Sequence, residues 1–257
     1  MPRPRLALVL AASLLLAALF PRPGAAEELV VSAAASLTGA LTDVKKAFEA
    51  DHPGLTVFVN FAASGQLLQQ IEAGAPVDVF APADQVTMDR AARDGLIDQA
   101  TRVDFTANDL MLTVPADENA VTCVADLGGD KVGKVALGEP DAVPAGSYTK
   151  QVLDDLGLWE KLSPKMVYGL SVKQALDYVA LGEVDAAFVY ATDARMAQKR
   201  VRVVTALTGH APIVYPAAML AACPRKEVAK AFIDFLYGPK GQAILASYGF
   251  KAPAAAK

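Results

Sequence analysis

The sequence LVVSAAASLTGALTDVKKAF, residues 29–48, decides the fold because it holds a strand, a turn and a helix start. Its β-rich run Leu29–Ser32 leads through small residues into apolar residues at helical spacing, Leu41, Val44 and Phe48. Strand–turn–helix units of this kind recur along the chain, and they predict βαβ units with a mostly parallel sheet. The sequence therefore indicates the α/β class.

Further β-rich runs extend this alternation over the rest of the chain. They are Thr56–Phe61, Val77–Ala81, Leu110–Val114, Lys134–Leu137, Met166–Tyr168, Ala186–Tyr190, Val201–Val204 and Ile213–Leu220. Most of them are separated by stretches with helical period. Gly74 and Gly182 follow two such stretches and predict left-handed helix ends.

Four predicted helix starts follow strands and could bind an anion. Ser36 and Ser64 stand between a β-rich run and a helical pattern, where N-caps occur. A capping-box pattern at residues 171–174 places Val172 at a third start, and Ala145 falls at a fourth. A serine at an N-cap needs no ligand. However, α/β proteins bind ligands at the carboxyl ends of their strands, and helix N-termini suit anions, so together the four predict an oxyanion site.

The N-terminus predicts export. Arg3 and Arg5 precede the uncharged apolar run Leu6–Phe20, and small residues follow up to Ala26. This pattern is typical of a secretory signal peptide, residues 1–26, cleaved near Ala26. The alternative is a membrane anchor, which needs roughly 20 apolar residues, more than the run Leu6–Phe20 provides. No Cys follows the run to carry a lipid, so we expect a periplasmic protein.

Charge and hydropathy narrow the partners. The chain of 257 residues has a net charge of −4, and loss of residues 1–26, with three Arg and no acid, changes it to −7. Nucleic-acid binding normally shows a basic patch, so we expect no nucleic-acid partner. A bound anion would have to be held by local dipoles. No second apolar run is long enough to span a bilayer, so the mature protein should be soluble.

Catalytic patterns are absent from the sequence. There is no nucleophile elbow, P-loop or zinc-protease motif. The only histidines, His52 and His210, lie in predicted turns and are expected at the surface. An exported serine hydrolase stays an alternative, but it lacks a base next to either serine. The sequence therefore favours a binding protein over an enzyme.

The cysteines are expected to pair. Cys123 and Cys223 are the only two, and each lies just past an apolar run. Export would place them where disulfides persist, which favours a bond between them; the alternative is two unpaired buried thiols. Neither has His or Cys neighbours at zinc spacing, so no metal site is expected.

Ordered blocks across the chain resemble the periplasmic molybdate-binding proteins of ABC importers. These blocks are Ala34–Thr38, Phe61–Gly65, Gly74–Phe80, Ala83–Gln85, Gly138–Pro140, Val143–Tyr148, Leu158–Trp159, Leu162–Lys165, Val189–Ala194, Gly238–Pro239 and Tyr248–Phe250. Single blocks are weak, whereas the ordered set is specific. Ala63 and Gly65 depart from the pattern, since many relatives have hydroxyl residues there.

The resemblance implies a type II periplasmic binding protein fold, with two lobes, a hinge and the anion between the lobes. Each lobe would have a mixed, mostly parallel sheet flanked by helices. The first lobe would comprise residues 27–109 and 216–257, and the second residues 110–215. By resemblance, hydroxyl contacts map to Ser36 and Ser64, backbone contacts also to Ala145 and Val172, and a phenol contact to Tyr190.

The resemblance also implies the ligand and partners. The ligand would be molybdate, with tungstate bound about as well, and no separate cofactor or direct metal ligand. The partner would be an ABC permease, with the protein itself a monomer. The alternative ligands are sulfate, an organic anion or a ferric ion, although no adjacent tyrosine pair suggests a ferric site.

Overall fold

The computed structural model describes residues 27–253, and the predicted signal peptide lies outside them. Strands β1–β10 are Glu27–Ala34, Leu55–Ala62, Val79–Ala81, Val103–Ala107, Leu110–Pro115, Val135–Gly138, Met166–Gly169, Ala186–Tyr190, Val201–Ala206 and Val214–Met219. Helices α1–α9 are Thr38–Asp51, Ser64–Glu72, Gln85–Arg93, Pro144–Asp155, Trp159–Leu162, Val172–Ala180, Ala191–Met196, Lys226–Tyr237 and Pro239–Ser247. Within residues 27–253, no helix is both long and apolar enough to cross a bilayer.

The strands form two five-stranded sheets with the same plan. The first sheet has the order β2-β1-β3-β10-β4 and the second β7-β6-β8-β5-β9. In each sheet one strand, β10 or β5, is antiparallel to both of its neighbours, and the other strands share one direction. The predicted fold class, two mixed and mostly parallel sheets flanked by helices, is confirmed.

The chain passes between the sheets twice. It leaves the first sheet after Ala107 and enters the second at Leu110, then leaves the second after Ala206 and returns at Val214. We call residues 27–107 and 214–253 the first lobe and residues 110–206 the second lobe. Val214 already pairs with Ala107, so the first sheet resumes two residues before the expected Pro216.

One strand was not predicted from the sequence. Strand β4, Val103–Ala107, pairs with β10 and alternates exposed Asp104 with fully buried Phe105. Its two polar residues, Asp104 and Thr106, leave too short an apolar signal for periodicity to detect. The predicted helix-ending glycines, Gly74 and Gly182, have φ of 86° and 72°, as left-handed ends require.

The expected disulfide is wrong, because the cysteines lie in different lobes and both are free. Cys123 is exposed in the second lobe, just before a 3₁₀ turn. Cys223 is buried in the first lobe after β10, and its thiol donates to Asp78 at 3.3 Å. Both follow apolar strands as expected, but proximity to a strand end fixes neither the sheet nor the direction of the side chain.

Candidate anion-binding site

A small cavity between the lobes brings together all five residues that the sequence singled out. The first lobe contributes Ser36 and Ser64, and the second contributes Ala145, Val172 and Tyr190. The remaining lining residues are small or apolar: Ala34, Ala35, Ala62, Ala63, Ala83, Val143 and Pro144. Alanine methyl groups leave the neighbouring backbone open to a small ligand.

The first-lobe wall is made by two strand-to-helix turns. Ser36 lies inside a 3₁₀ turn that joins β1 to α1, and Ser64 is the first residue of α2. The expectation that these serines are N-caps is therefore wrong. Ala34 occupies the cap position of the 3₁₀ turn, Leu37 that of α1 and Ala63 that of α2, all without a side-chain cap. The serine hydroxyls are thus free of the local capping bond and reach other partners.

Both serine hydroxyls already have a hydrogen-bond partner within the protein. The backbone N–H of Ala83 donates to Oγ of Ser64 at 2.9 Å. Oγ of Ser36 lies 3.1 Å from the phenolic oxygen of Tyr215. A backbone N–H only donates, so the hydrogen of the Ser64 hydroxyl stays available for a ligand.

The second-lobe wall is made by two helix N-termini. Ala145 is the second residue of α4 and Val172 the first residue of α6. Ser171 caps α6, as predicted, by accepting from Gln174 N at 3.3 Å. The first N–H groups of a helix have no intrahelical acceptor, and they form the positive end of its dipole. This wall therefore offers backbone donors.

Glycine allows α4 to lie close to the sheet. A Cβ built on Gly146 would meet the carbonyl oxygen of Gly138 at 2.0 Å, so a side chain there would push the helix away from β6. Since Ala145 precedes Gly146 in the first turn of α4, this close contact also fixes the place of its N–H group. The glycine at this position is thus explained by packing.

Tyr190 supplies an unpaired polar atom to the cavity. It ends β8, is 1% exposed, and its hydroxyl has no hydrogen-bond partner among the described residues. Burial, with a further contribution from Tyr215, holds the pKa of the Tyr190 phenol well above its usual range. The group is therefore a neutral donor. A buried hydroxyl without a partner costs about 1–3 kcal/mol, which a bound acceptor would offset.

No charged residue is among those that line this cavity within residues 27–253. Nor do the described residues contain a cluster of three or more His, Cys, Asp or Glu that could hold a metal ion. The arrangement offers hydroxyl and backbone donors without acceptors of similar strength. Such a set can hold an anion through dipoles alone.

A buried carboxylate lies just behind the second-lobe wall. Asp193 is in the first turn of α7, three residues after Tyr190, and is fully buried. Neither carboxylate oxygen forms a hydrogen bond within the described chain, and the nearest cation, Lys173 Nζ, is 3.9 Å away. Burial raises the Asp193 pKa to about 7, against a smaller opposing effect of Lys173.

The histidines take no part in this site. His52 is half-buried and bonds to the carbonyl of Phe48 at 2.8 Å. His210 is also half-buried, and its ring nitrogens lie 2.7 and 3.1 Å from the carbonyl oxygens of Ala211 and Leu207. The cavity serines contact a phenol and a backbone N–H, so no base activates either of them.

Two residues next to the site were missed by sequence reasoning. Tyr215 contacts Ser36, and Asn108 donates to Tyr215 at 3.2 Å. Tyr215 lies within a predicted strand, where a tyrosine reads as core, and Asn108 lies in a polar linker. Their separations from Ser36 along the chain leave no local signal for this contact.

Comparison with known proteins places the chain in a family. The family model for bacterial extracellular solute-binding proteins matches residues 29–251. The chain is 38% identical to the molybdate-binding protein of Escherichia coli over 87% of its own length and 88% of that protein. It is 34% identical to the molybdate-binding protein of Haemophilus influenzae over 93% and 96%.

A solved structure supports the same assignment. The periplasmic molybdate-binding protein of Azotobacter vinelandii superposes with a TM-score of 0.78 at 26% identity, covering 88% of this chain and 100% of that one. The family match spans both lobes and both crossings between them. The chain therefore belongs to the bacterial extracellular solute-binding proteins.

Proposed function

We propose that this protein is the periplasmic component of an ABC importer that captures molybdate and delivers it to a membrane permease. The unpaired Tyr190 hydroxyl in an uncharged, donor-lined cavity is the single observation that carries the proposal. The names of the similar proteins support the choice of anion, since those of Escherichia coli and Haemophilus influenzae bind molybdate.

The donor set suits a fully deprotonated tetrahedral oxyanion. Ser36, Ser64 and Tyr190 would donate their hydroxyl hydrogens, and the backbone N–H groups of both serines, Ala145 and Val172 would complete the set. Burial of a dianion needs many well-aimed hydrogen bonds, and two walls that face each other across the cavity provide them. Closure of the lobes would follow capture as a shift of population.

Selectivity follows from protonation and size. Phosphate keeps a hydrogen, and in this site that hydrogen would point at a donor and find no acceptor. An unmatched pair of this kind costs roughly 1–3 kcal/mol of binding free energy. Sulfate has the charge and shape of molybdate but is smaller, so only the cavity dimensions discriminate against it. Tungstate is nearly the size of molybdate, and we expect the two to bind about equally.

The lobes already touch at the edge of this cavity. The backbone N–H of Gly65, in α2, donates to the carbonyl of Ala142 in the second lobe at 3.0 Å. This bond joins the loop before α4 to the helix that carries Ser64. A closed form of this kind would present one defined surface to the permease.

Calorimetry tests the proposal directly. We expect molybdate to give a binding heat with the unmodified protein and little or none with the double variant Ser36→Ala/Ser64→Ala. A matched control is Ser163→Ala/Ser247→Ala, which changes one exposed serine in each lobe and should bind normally. Equal molybdate heat in both double variants would contradict the site.

Competition titrations test the choice of anion. Tungstate should displace molybdate at similar concentration, whereas sulfate should not displace it at a large excess. The same series in a thermal-shift assay would report binding independently, since a ligand of the folded form raises its stability. Sulfate binding equal to that of molybdate would favour the alternative, a sulfate-binding protein.

A further inference from the structure

A buried chain of hydrogen bonds connects the two crossings between lobes to the anion cavity. Asn108 lies in the first crossing, between β4 and β5, and Tyr215 lies in β10 just after the second crossing. Both are buried, with 6% and 0% of their surface exposed. The chain runs from Asn108 to Tyr215 to Ser36, and only Ser36 lines the cavity.

The donor and acceptor roles along these hydrogen bonds follow from the amide of Asn108. The backbone N–H of Asp109 donates to Oδ1 of Asn108 at 3.0 Å, which identifies that atom as the oxygen. The amide nitrogen therefore faces Thr192 Oγ1 at 3.0 Å and the phenolic oxygen of Tyr215 at 3.2 Å. Because an amide NH₂ group only donates, the Tyr215 oxygen must accept.

The direction continues through Tyr215 to the serine. Burial raises the pKa of the Tyr215 phenol, so it keeps its hydrogen. With Asn108 donating to its oxygen, that hydrogen has one acceptor within the described residues, Oγ of Ser36 at 3.1 Å. The opposite arrangement, with Ser36 donating to Tyr215, would leave a buried phenolic hydrogen without an acceptor.

We propose that Asn108 and Tyr215 are positioning residues that make Ser36 an obligatory donor to the bound anion and thereby exclude oxyanions that carry a hydrogen. Because Tyr215 donates to Ser36, the serine hydrogen has no acceptor among the described residues and is left for a ligand in the cavity. Ser64 is set in the same direction by the backbone N–H of Ala83. Neither serine hydrogen then has an acceptor among the described residues, so a ligand hydrogen directed at either serine would leave the serine's own hydrogen unpaired. This inference rests on the proposed function of the cavity.

Removal of the hydrogen bond between Tyr215 and Ser36 should change the selectivity between anions. In Tyr215→Phe the Ser36 hydroxyl loses the donor that orients it, so it can rotate and accept a hydrogen bond from a ligand as well as donate one. We expect molybdate to bind roughly three- to tenfold more weakly, the equivalent of one hydrogen bond. Phosphate, which keeps a hydrogen at pH 6, should bind more tightly than it does to the unmodified protein.

The ratio of the molybdate and phosphate dissociation constants at pH 6 is therefore the decisive measurement. A merely structural loss would weaken both anions together and leave the ratio unchanged. The matched control is Tyr248→Phe, which removes a phenol that donates to Asp43 at 2.6 Å outside the cavity lining. It should leave the ratio unchanged.

A second variant guards against misfolding of the first. Asn108→Ala removes the donor to Tyr215 and should shift the ratio in the same direction by a smaller amount. If the wild-type protein binds molybdate and both variants keep its ratio of dissociation constants, the positioning role of Asn108 and Tyr215 alone would be overturned. If the wild-type protein does not bind molybdate, the proposed function would be overturned, together with the positioning role of Asn108 and Tyr215.

Discussion

The two lobes treat their buried acids in opposite ways. In the first lobe, fully buried Asp78 accepts from Val30 N at 2.8 Å and forms an ion pair with Arg225 at 2.8 Å. The thiol of Cys223 donates to the same carboxylate. In the second lobe, equally buried Asp193 has no hydrogen bond, and Lys173 is 3.9 Å away. Asp78 thus links β1 to the segment that follows β10. Asp193 makes no such link, and burial raises its pKa.

The cavity hydroxyls repeat this difference. The Ser36 and Ser64 hydroxyls in the first lobe have hydrogen-bond partners within the protein, while the Tyr190 hydroxyl in the second lobe has none among the described residues. Ser32 in β1 is an exception in the first lobe, since its buried hydroxyl is also unpaired in the described chain. The unmatched groups of the second lobe, Tyr190 and Asp193, lie within four residues at the β8–α7 junction.

Removing the paired acid should have the largest effect on stability. We expect Asp78→Ala to lower the free energy of unfolding by about 3–5 kcal/mol, because it leaves Arg225 and a buried N–H without their partner. Urea unfolding measures this. The control Asp51→Ala breaks the exposed pair with Lys240 and should cost under about 1 kcal/mol. Equal losses would show that Asp78 contributes no more than a surface pair.

The unpaired acid should instead make stability depend on pH. The Asp193 pKa is about 7 in the fold against 3.8 in the unfolded reference, so the folded protein holds an extra proton between these values. The free energy of unfolding therefore falls by roughly 3 kcal/mol as pH rises from about 4 to about 7. Below pH 4 the acid is protonated in both states and costs nothing.

Asp193→Asn tests that sign. The variant has no charge to bury, so its free energy of unfolding should exceed the wild-type value more at pH 8 than at pH 4.5. Urea titrations at both pH values give the difference. A variant–wild-type difference that stays constant with pH would show that Asp193 remains ionised throughout.

Removing the unpaired hydroxyl should separate stability from binding. We expect Tyr190→Phe to raise the stability of the ligand-free protein by about 1–2 kcal/mol, because a buried donor without an acceptor is removed. The same change should weaken molybdate binding. Thermal unfolding and calorimetry on one preparation give both values. A loss of stability without ligand would indicate that the hydroxyl already has a partner.

Closure itself should respond least. A Cβ at Gly65 would lie 2.9 Å from the Ala142 carbonyl oxygen of the second lobe, so Gly65→Ala should wedge the lobes slightly apart. We expect about 1 kcal/mol, or about fivefold weaker molybdate binding, with unchanged folding. The control is Gly133→Ala, where a Cβ meets its nearest atom at an ordinary 3.5 Å. Equal affinities would show that the lobes close without this contact.

Much of the fold could be predicted because its signals are local. Strand periodicity, the capping pattern at Ser171 and the helix-ending glycines each depend on residues within one turn or strand. Ser36 and Ser64 were found because they follow strands, although their role as caps was wrong. Tyr190 came only from resemblance, since a tyrosine that ends a buried strand carries no separate signal.

The sequence by itself determined the alternation of strands and helices, the positions of the turns and the small residues that line them. Only the tertiary structure decided which polar groups meet. Ser36 and Tyr215 are 179 residues apart in the chain, and Asn108 and Tyr215 are 107 apart. Periodicity reports which face of an element is buried, but hydrogen bonds form between neighbours in space, which the packing of the two sheets alone brings together.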